Sequence, residues 1–203
     1  MKIGIYGGTF DPPHNGHINI CKAFLEQLSL DKLYVMPTFI PPHKLMFEND
    51  PYARYEMAKI AFGNISDKII VSDLELKRKG RSYTAETISY FSEYGDYDVY
   101  LLCGTDMFLT LDEWYKSSYI FKHSTIVHAR RDSDEDNNEL IEYKEGLYKK
   151  EYSAKMITLN VDVIELSSSE IREKINQGTD VSDLISTDVY DYIKEKEIYK
   201  NKI

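Results

Sequence analysis

A turn close to the start of this 203-residue chain limits its possible folds more than any other feature. The apolar run Ile3–Tyr6 predicts a buried first strand, and residues 7–17, Gly-Gly-Thr-Phe-Asp-Pro-Pro-His-Asn-Gly-His, follow it directly. Glycines let the backbone approach a ligand closely, and the Asp-Pro-Pro step forces a turn. An amphipathic pattern then predicts a helix that begins near His14 or Asn15. The segment therefore predicts a strand, a tight turn and a helix in succession.

Two histidines stand at the start of that helix. His14 and His17 are three residues apart, so both imidazoles project from one face of its first turn. The unpaired N–H groups and the positive dipole end of the helix face whatever lies above the strand. Together with the glycine turn, they predict a polyphosphate site. Zinc would need a third and a fourth ligand, which the nearby sequence does not supply, and a helix cap with an incidental histidine is the other alternative.

Composition excludes several classes of protein. The formal net charge is -9 and no basic block is present, which argues against a nucleic-acid partner. No apolar run approaches membrane-spanning length, and Met1-Lys2 leads directly into the first strand, without room for a signal peptide. Cys21 and Cys103 lie in apolar segments and are expected to be core thiols. We therefore expect a cytoplasmic enzyme without a membrane partner.

Apolar runs alternate with helical patterns along the chain, which is typical of a parallel α/β sheet. Strands are predicted at 3–6, 32–36, 68–76, 98–103, 124–129 and 157–166, and helices at 16–28, 51–62, 83–94, 111–121, 167–176 and 188–197. Residues 132–155 are charged and tyrosine-rich, and they predict a surface insertion with one short helix. We expect one doubly wound domain over 1–203, in which 167–203 form a small C-terminal helical part.

A second turn ends the fourth predicted strand. If that strand lies beside the first, Gly104-Thr105-Asp106 and the histidine turn border one crevice, because ligands of open parallel sheets bind beyond the carboxyl ends of the strands. The alternative is that Asp106 simply caps the following helix.

Three more motifs could face that crevice. Prolines hold the segment 41–44, Pro-Pro-His-Lys, extended, so Lys44 could reach toward phosphate or could be an exposed lysine on a rigid loop. At the start of the helix 83–94, Tyr83 could stack on a ring, while Thr84 could merely cap the helix. The only tryptophan, Trp114, is either a packing residue or a flat surface that suits a pyridine ring.

The segment 167–172, Ser-Ser-Ser-Glu-Ile-Arg, is the last candidate. Ser167 with Glu170 forms a capping box, which alone would be a structural feature. The same segment directs several N–H groups and the Arg172 guanidinium at a common anion, as in a site for ATP phosphates.

These motifs resemble those of a known family. Residues 10–17 resemble the F-D-P-x-H-x-G-H signature of the nucleotidyltransferase superfamily, whose members join a nucleoside monophosphate to a phosphate-bearing acceptor. The P-P-H-K, S-Y-T and G-x-D…W motifs resemble the bacterial nicotinate-nucleotide adenylyltransferases over nearly the whole chain. Residues 167–172 are similar to the S-S-T-x-I-R motif, with Ser169 in place of threonine. Pantetheine-phosphate adenylyltransferases fit less well, because they have threonine where His14 stands and lack the Pro-Pro-His-Lys loop.

The resemblance implies a Rossmann-like nucleotidyltransferase fold and a step of NAD synthesis, in which ATP and nicotinate mononucleotide give deamido-NAD and pyrophosphate. Mg²⁺ would arrive with ATP, held chiefly by phosphates and water, with no metal ligands from the protein. A homo-oligomer is compatible with this interpretation. A non-catalytic nucleotide sensor is the alternative of another class, and it would lack a histidine, Lys44 or Arg172.

The resemblance also implies roles for individual residues. The catalytic residues would be His14, His17, Lys44 and Arg172. The ATP site would comprise Gly7, Gly8, Thr9, Phe10, His14, His17, Gly104, Asp106, Ser168, Ser169, Ile171 and Arg172. The mononucleotide would be bound by Lys44, Tyr83, Thr84 and Trp114.

Overall fold

Apolar segments of the chain form strands and amphipathic ones form helices in a computed structural model that describes residues 1–42, 49–130, 137–159, 161, 164 and 166–199. The strands are β1 Lys2–Gly8, β2 Lys32–Pro37, β3 Ile69–Val71, β4 Asp98–Gly104, β5 Thr125–Ala129 and β6 Lys155–Leu159. The helices are α1 Asn15–Gln27, α2 Pro51–Phe62, α3 Leu74–Arg78, α4 Thr84–Tyr94, α5 Thr105–Leu109, α6 Ser117–His123, α7 Asn138–Tyr152, α8 Ser168–Asn176 and α9 Thr187–Glu195, with a 3₁₀ turn at Leu111–Glu113.

Over the described residues, all six strands are parallel and lie in the order β3-β2-β1-β4-β5-β6. The chain therefore builds outward from β1 to β3 on one side, crosses back, and continues from β4 to β6 on the other. The strand order reverses between β1 and β4, so a crevice opens beyond the carboxyl ends of these two strands. This arrangement confirms the predicted doubly wound parallel sheet and places Gly8 and Gly104 at one edge.

Side chains of β1 alternate between two hydrophobic clusters, one on each face of the sheet. Ile3 and Ile5 belong to the cluster that α4, α5, α6 and α7 cover, whereas Tyr6 belongs to the cluster under α1, α2, α8 and α9. Gly4 also faces the latter cluster, where a Cβ would come within 2.6 Å of Leu30. The strand thus needs glycine there to let its helices approach closely.

Both cysteines confirm the prediction of core thiols. Cys21 and Cys103 are buried and free of disulfides. Burial raises the pKa of each thiol to about 12, so both stay protonated at neutral pH.

Several predicted elements were wrong in extent. The strand predicted at 68–76 ends at Val71, because Leu74–Arg78 turn into a short helix that buries Glu75 and Leu76. The helix predicted at 111–121 divides into the 3₁₀ turn and α6, since Lys116 between them has a left-handed φ of 53°. β6 spans Lys155–Leu159 and so begins two residues before the strand predicted at 157–166, part of which lies outside the described residues.

The charged segment 132–155 differs most from its prediction. Its helix is not short: α7 has 15 residues and buries Ile141 and Tyr148 against the sheet. Charged residues dominate its exposed face, and this concealed the two positions that anchor it.

Candidate active site

The turn after β1 is closed by its two histidines. His14 is the N-cap of α1, and its Nδ1 accepts the N–H of His17 at 3.4 Å. In return, the Nδ1 of His17 accepts the N–H of His14 at 3.2 Å, and the two ring centroids lie 3.6 Å apart. Because each Nδ1 is an acceptor, the proton of each neutral ring is assigned to Nε2, the nitrogen farther from the backbone. The helix-cap alternative is therefore true, and it is compatible with phosphate binding through Nε2–H.

Distant residues fix the start of α1. The N–H of Asn15 donates to the carbonyl of Leu184 at 2.9 Å. Gly16 passes so close to its neighbours that a Cβ would lie 2.8 Å from the carbonyl of Ile164 and 3.1 Å from Nδ1 of His14. Any larger residue in place of Gly16 would therefore clash with its neighbours.

A cavity of about 340 Å³ lies above this turn and contains most of the predicted ATP residues. The predicted residues that line it are Gly7, Gly8, Thr9, Phe10, His14, His17, Gly104, Ser168, Ser169 and Arg172. We call it the phosphate cavity, because histidine donors, hydroxyls, a guanidinium and a helix N-terminus converge there.

Two of the predicted ATP residues do not line this cavity. Ile171 is 1% exposed, and its side chain belongs to the hydrophobic cluster beneath α8. Asp106 is exposed in the first turn of α5. It is not the cap of that helix, since the N-cap is Gly104 and no side-chain capping bond forms there.

Helix α8 is attached to the histidine turn. Nη1 of Arg172 donates to the carbonyl of Asp11 at 2.7 Å, and Nη2 donates to Oγ of Ser169 at 3.0 Å. One residue earlier, Oγ of Ser168 donates to the carbonyl of Pro12 at 2.9 Å. These bonds place the N-terminus of α8 and its arginine on the edge of the phosphate cavity.

Buried polar groups support the turn from beneath. Asp11 is 3% exposed, and its carboxylate accepts bonds from Nδ2 of Asn49 at 2.7 Å and from the hydroxyl of Tyr199 at 2.6 Å. Nη1 of the fully buried Arg54 donates to the carbonyl of Thr9 at 2.9 Å. Burial lowers the pKa of Arg54, and the charge of Asp11 opposes that effect. These partners were not predicted from the sequence. An arginine among the apolar positions of α2 was the one local signal.

A second cavity, of about 470 Å³, adjoins the first and is largely apolar and aromatic. Its lining comprises Thr38, Pro41, Pro42, Glu75, Ser82, Tyr83, Thr84, Glu113, Trp114 and Tyr115. Both cavities are also lined by Gly7, Gly8, Thr9 and Met107, so the two meet at the end of β1. We call the second one the acceptor cavity.

Aromatic rings line the acceptor cavity, among them Tyr83 and Trp114, whose part in binding the mononucleotide stays a prediction. The ring centroids of Tyr83 and Tyr115 are 4.6 Å apart. Nε1 of Trp114 points to Oγ1 of Thr110 at 3.4 Å. Tyr115 was missed, although it directly follows the tryptophan that the sequence singled out.

The turn before α4 is held by side chains rather than by a cap. Oγ of Ser82 accepts the N–H of Phe39 at 2.9 Å, and Tyr83, the N-cap residue, makes no side-chain capping bond. Glu75 is 5% exposed behind this turn and accepts a bond from the hydroxyl of Thr87 at 2.7 Å. Burial raises the pKa of Glu75, although hydrogen bonds from Thr87 and Ser82 partly counteract that effect.

A half-buried ion pair holds the 3₁₀ turn that precedes Trp114. Nζ of Lys144, on α7, donates to Asp112 at 2.7 Å, and the hydroxyl of Tyr148 donates to the same carboxylate at 2.9 Å. Burial alone would raise the pKa of Asp112, but these hydrogen bonds outweigh it and hold the pKa below its usual value. Helix α7, predicted as part of a surface insertion, thus supports the acceptor cavity.

Three further points concern Lys44, metal ligands and membrane-spanning helices. Lys44, predicted both as catalytic and as substrate-binding, lies outside the described residues. Within the described part of the chain, no cluster of three or more His, Cys, Asp or Glu side chains is arranged to hold a metal ion. The helices that the structure describes include none long and apolar enough to cross a membrane.

Comparison with known proteins identifies relatives by sequence and a similar fold among solved structures. A family model described as cytidylyltransferase-like matches residues 5–174. A probable nicotinate-nucleotide adenylyltransferase from Clostridium tetani is 37% identical over 202 residues, which cover 98% of this chain and 99% of the relative. One from Clostridium acetobutylicum is 37% identical over 200 residues, or 98% of each chain.

A solved structure shares the fold. The Plasmodium falciparum nicotinic acid mononucleotide adenylyltransferase complexed with NaAD superposes with a TM-score of 0.77. The match covers 98% of this chain and 97% of that one at 21% identity. It confirms a Rossmann-like nucleotidyltransferase fold.

Proposed function

Because the chain belongs to the cytidylyltransferase-like family, and within it to the nicotinate-nucleotide adenylyltransferases, we propose that it catalyses their reaction. ATP and nicotinate mononucleotide give deamido-NAD and pyrophosphate, a step of NAD synthesis. One observation carries the proposal: the polar phosphate cavity and the aromatic acceptor cavity share the Gly7–Thr9 turn as a common wall. A nucleotide in each cavity would bring its phosphates to the same backbone.

The reaction needs this convergence more than it needs a nucleophile from the protein. The phosphate of the mononucleotide attacks the α-phosphorus of ATP in line, the new P–O bond forms, and the bond to pyrophosphate breaks. Such transfers are accelerated by positioning and by neutralising charge on the phosphoryl oxygens. The shared wall supplies the positioning.

Charge neutralisation falls to the phosphate cavity. The Nε2–H groups of His14 and His17 donate to phosphate oxygens, while the N-terminus of α1 adds its dipole. The Arg172 guanidinium, on the rim, offsets charge that builds up on departing pyrophosphate. Lys44 is proposed for the same task from the sequence alone. Mg²⁺ enters as part of the ATP substrate, held chiefly by phosphate oxygens and water.

Acceptor recognition falls to the aromatic cavity. Trp114, Tyr83 and Tyr115 flank the pyridine ring, and the first N–H groups of α4, beginning at Thr84, meet the carboxylate of nicotinate. The backbone N–H groups that follow Gly104, at the end of β4, offer the carboxylate a second set of donors. A cytoplasmic location and a homo-oligomer remain predictions.

The test compares kcat/KM for nicotinate mononucleotide, nicotinamide mononucleotide and phosphopantetheine, each with ATP and Mg²⁺. We expect the nicotinate compound to be used best, because helix N–H groups favour a carboxylate over a neutral amide. A preference for phosphopantetheine would assign the chain to another acceptor. Tight ATP binding without pyrophosphate release for any of the three would instead indicate a nucleotide sensor.

A further inference from the structure

Tyr199 reaches the histidine turn from a remote part of the chain. It lies in the turn after α9, half-buried, and its hydroxyl donates to Oδ1 of Asp11 at 2.6 Å across 188 residues of sequence. The same hydroxyl lies 3.8 Å from the sulfur of Met57, which is fully buried. The phenol thus enters the core beneath the site and ends on a carboxylate of the turn.

That carboxylate needs its partners. Asp11 is 3% exposed, and a buried carboxylate is costly unless hydrogen bonds replace the water that it has lost. Asn49 satisfies Oδ2 at 2.7 Å and Tyr199 satisfies Oδ1. Burial and the adjacent carboxylate both raise the pKa of Tyr199, so the phenol keeps its proton and stays a donor. The two bonds leave the Asp11 side chain little rotational freedom.

Asp11 in turn holds Arg172. Its carbonyl oxygen accepts Nη1 of the guanidinium at 2.7 Å, and Oδ2 lies 3.9 Å from the same nitrogen. Arg172 lines the phosphate cavity, whereas Tyr199 lines neither of the two cavities. A continuous chain of contacts therefore runs from the phenol, through one aspartate, to the cation at the rim.

We propose that Tyr199 is a positioning residue, which fixes Asp11 and through it directs the Arg172 guanidinium at the phosphates of ATP. The inference rests on the proposed function for its chemistry. Its geometry stands on the three contacts alone. Tyr199 acts without touching substrate, so its loss should be felt where Arg172 acts.

The first test replaces Tyr199 with phenylalanine in the full chain, which deletes the hydroxyl and keeps the ring. We expect kcat to fall about tenfold, the effect of one hydrogen bond to a charged group. The KM of the mononucleotide should stay unchanged. Tyr192→Phe is the matched control, because this tyrosine is also half-buried on the adjoining helix and packs on the same hydrophobic cluster. Its kcat should equal that of the unmodified protein.

A double-mutant cycle with Arg172→Ala separates positioning from general loosening. If Tyr199 acts through Arg172, its removal costs little once the guanidinium is gone, and the two effects on kcat do not multiply. Effects that multiply, or a Tyr199→Phe variant with undiminished kcat, would overturn the proposal.

The same cycle is measured on the Kd of ATP. That readout needs no acceptor, so it tests the contact chain even if nicotinate mononucleotide proves not to be the substrate. Coupling in the Kd is expected together with coupling in kcat, and independence of the two substitutions in either quantity refutes the positioning role.

Discussion

The two cavities of the crevice are built in opposite ways. Much of the phosphate cavity comes from one continuous stretch, residues 6–17, whose capping bonds join neighbours three residues apart. The acceptor cavity gathers its walls from the segments 38–42, 75–84 and 107–115, which meet only in the folded chain. The floor of the first is local in sequence, although α8 completes its rim, whereas the second, apart from the shared Gly7–Thr9 wall, is a product of long-range packing.

The supports of the two cavities differ as well. Backbone carbonyls of Thr9, Asp11 and Pro12 receive the side chains that secure the histidine turn. The acceptor cavity depends on side-chain partners, above all the pair of Asp112 and Lys144. Phosphate is common to all substrates of such a reaction, whereas the acceptor ring varies. A site can thus keep the shared part in its backbone and the specific part in exchangeable side chains on loops.

The largest effect on kcat is expected from a substitution in the phosphate cavity. Replacing His17 with alanine removes a donor whose bond strengthens as charge moves onto the phosphates, so kcat should fall about 10²–10³-fold. ATP affinity should fall less. The variant also loses the hydrogen bond that Nδ1 of His17 accepts from the N–H of His14. A loss of about 1 kcal/mol in the free energy of unfolding should lower the melting temperature by about 2–4 °C. Steady-state kinetics and melting curves measure both effects.

His17→Asn divides these two roles. Its amide oxygen can replace Nδ1 as the cap acceptor but cannot replace the Nε2–H, so thermal stability should recover while kcat stays low. A His17→Ala variant with lowered stability and unchanged kcat would reduce the histidine to a cap and refute its catalytic role.

A smaller effect is expected on the acceptor side. Trp114→Ala should raise the KM of nicotinate mononucleotide about tenfold and change kcat little, because stacking serves ground and transition states alike. Trp114→Phe, which keeps a flat ring, should recover most of the affinity. If Trp114→Ala lowered kcat as strongly as His17→Ala, the division between the two cavities would not hold.

The smallest effect concerns the support of the acceptor cavity. The pKa of Asp112 is lower in the folded chain than in the unfolded one, so its contribution to stability exists above about pH 4 and is lost as the pH falls through the folded value. Asp112→Asn should therefore melt about 2–4 °C lower at pH 7, and its difference from the unmodified protein should shrink as the pH falls below about 4. Asp191→Asn is the control, since Asp191 pairs with Lys194 on the surface and is 60% exposed. An equal drop in melting temperature in both variants would show that the partial burial of the Asp112–Lys144 pair adds no stability.

The contrast between the cavities also explains what could be predicted from the sequence. Glycines, histidines and a helix start within 11 residues carry their geometry with them, so most of the residues predicted for ATP lie together around the phosphate cavity, and their roles stay predictions. Tyr199 and Asn49 could not be found, because pairing over 188 or 38 residues leaves no periodic trace. The fold followed from the alternation of apolar runs and helical patterns.

Where packing overrode the local pattern, prediction failed. Glu75 falls within the strand predicted at 68–76, yet it turns into α3 and is buried behind the acceptor cavity. The charges of α7 suggested a surface appendage, while Lys144 and Tyr148 in fact reach inward to Asp112. Both errors arise where polar side chains are buried in partnership, which single-residue polarity cannot indicate.

The bonds from Leu184 to Asn15 and from Tyr199 to Asp11 also set an order of events during synthesis. A ribosome releases β1 well before the turn after α9, so a growing chain can form its sheet before those two bonds exist. Until residues 184–199 emerge, Asp11 can pair with Asn49 but lacks the hydroxyl of Tyr199, and the N–H of Asn15 lacks the carbonyl of Leu184. A nascent chain of this protein therefore completes the histidine turn later than its sheet.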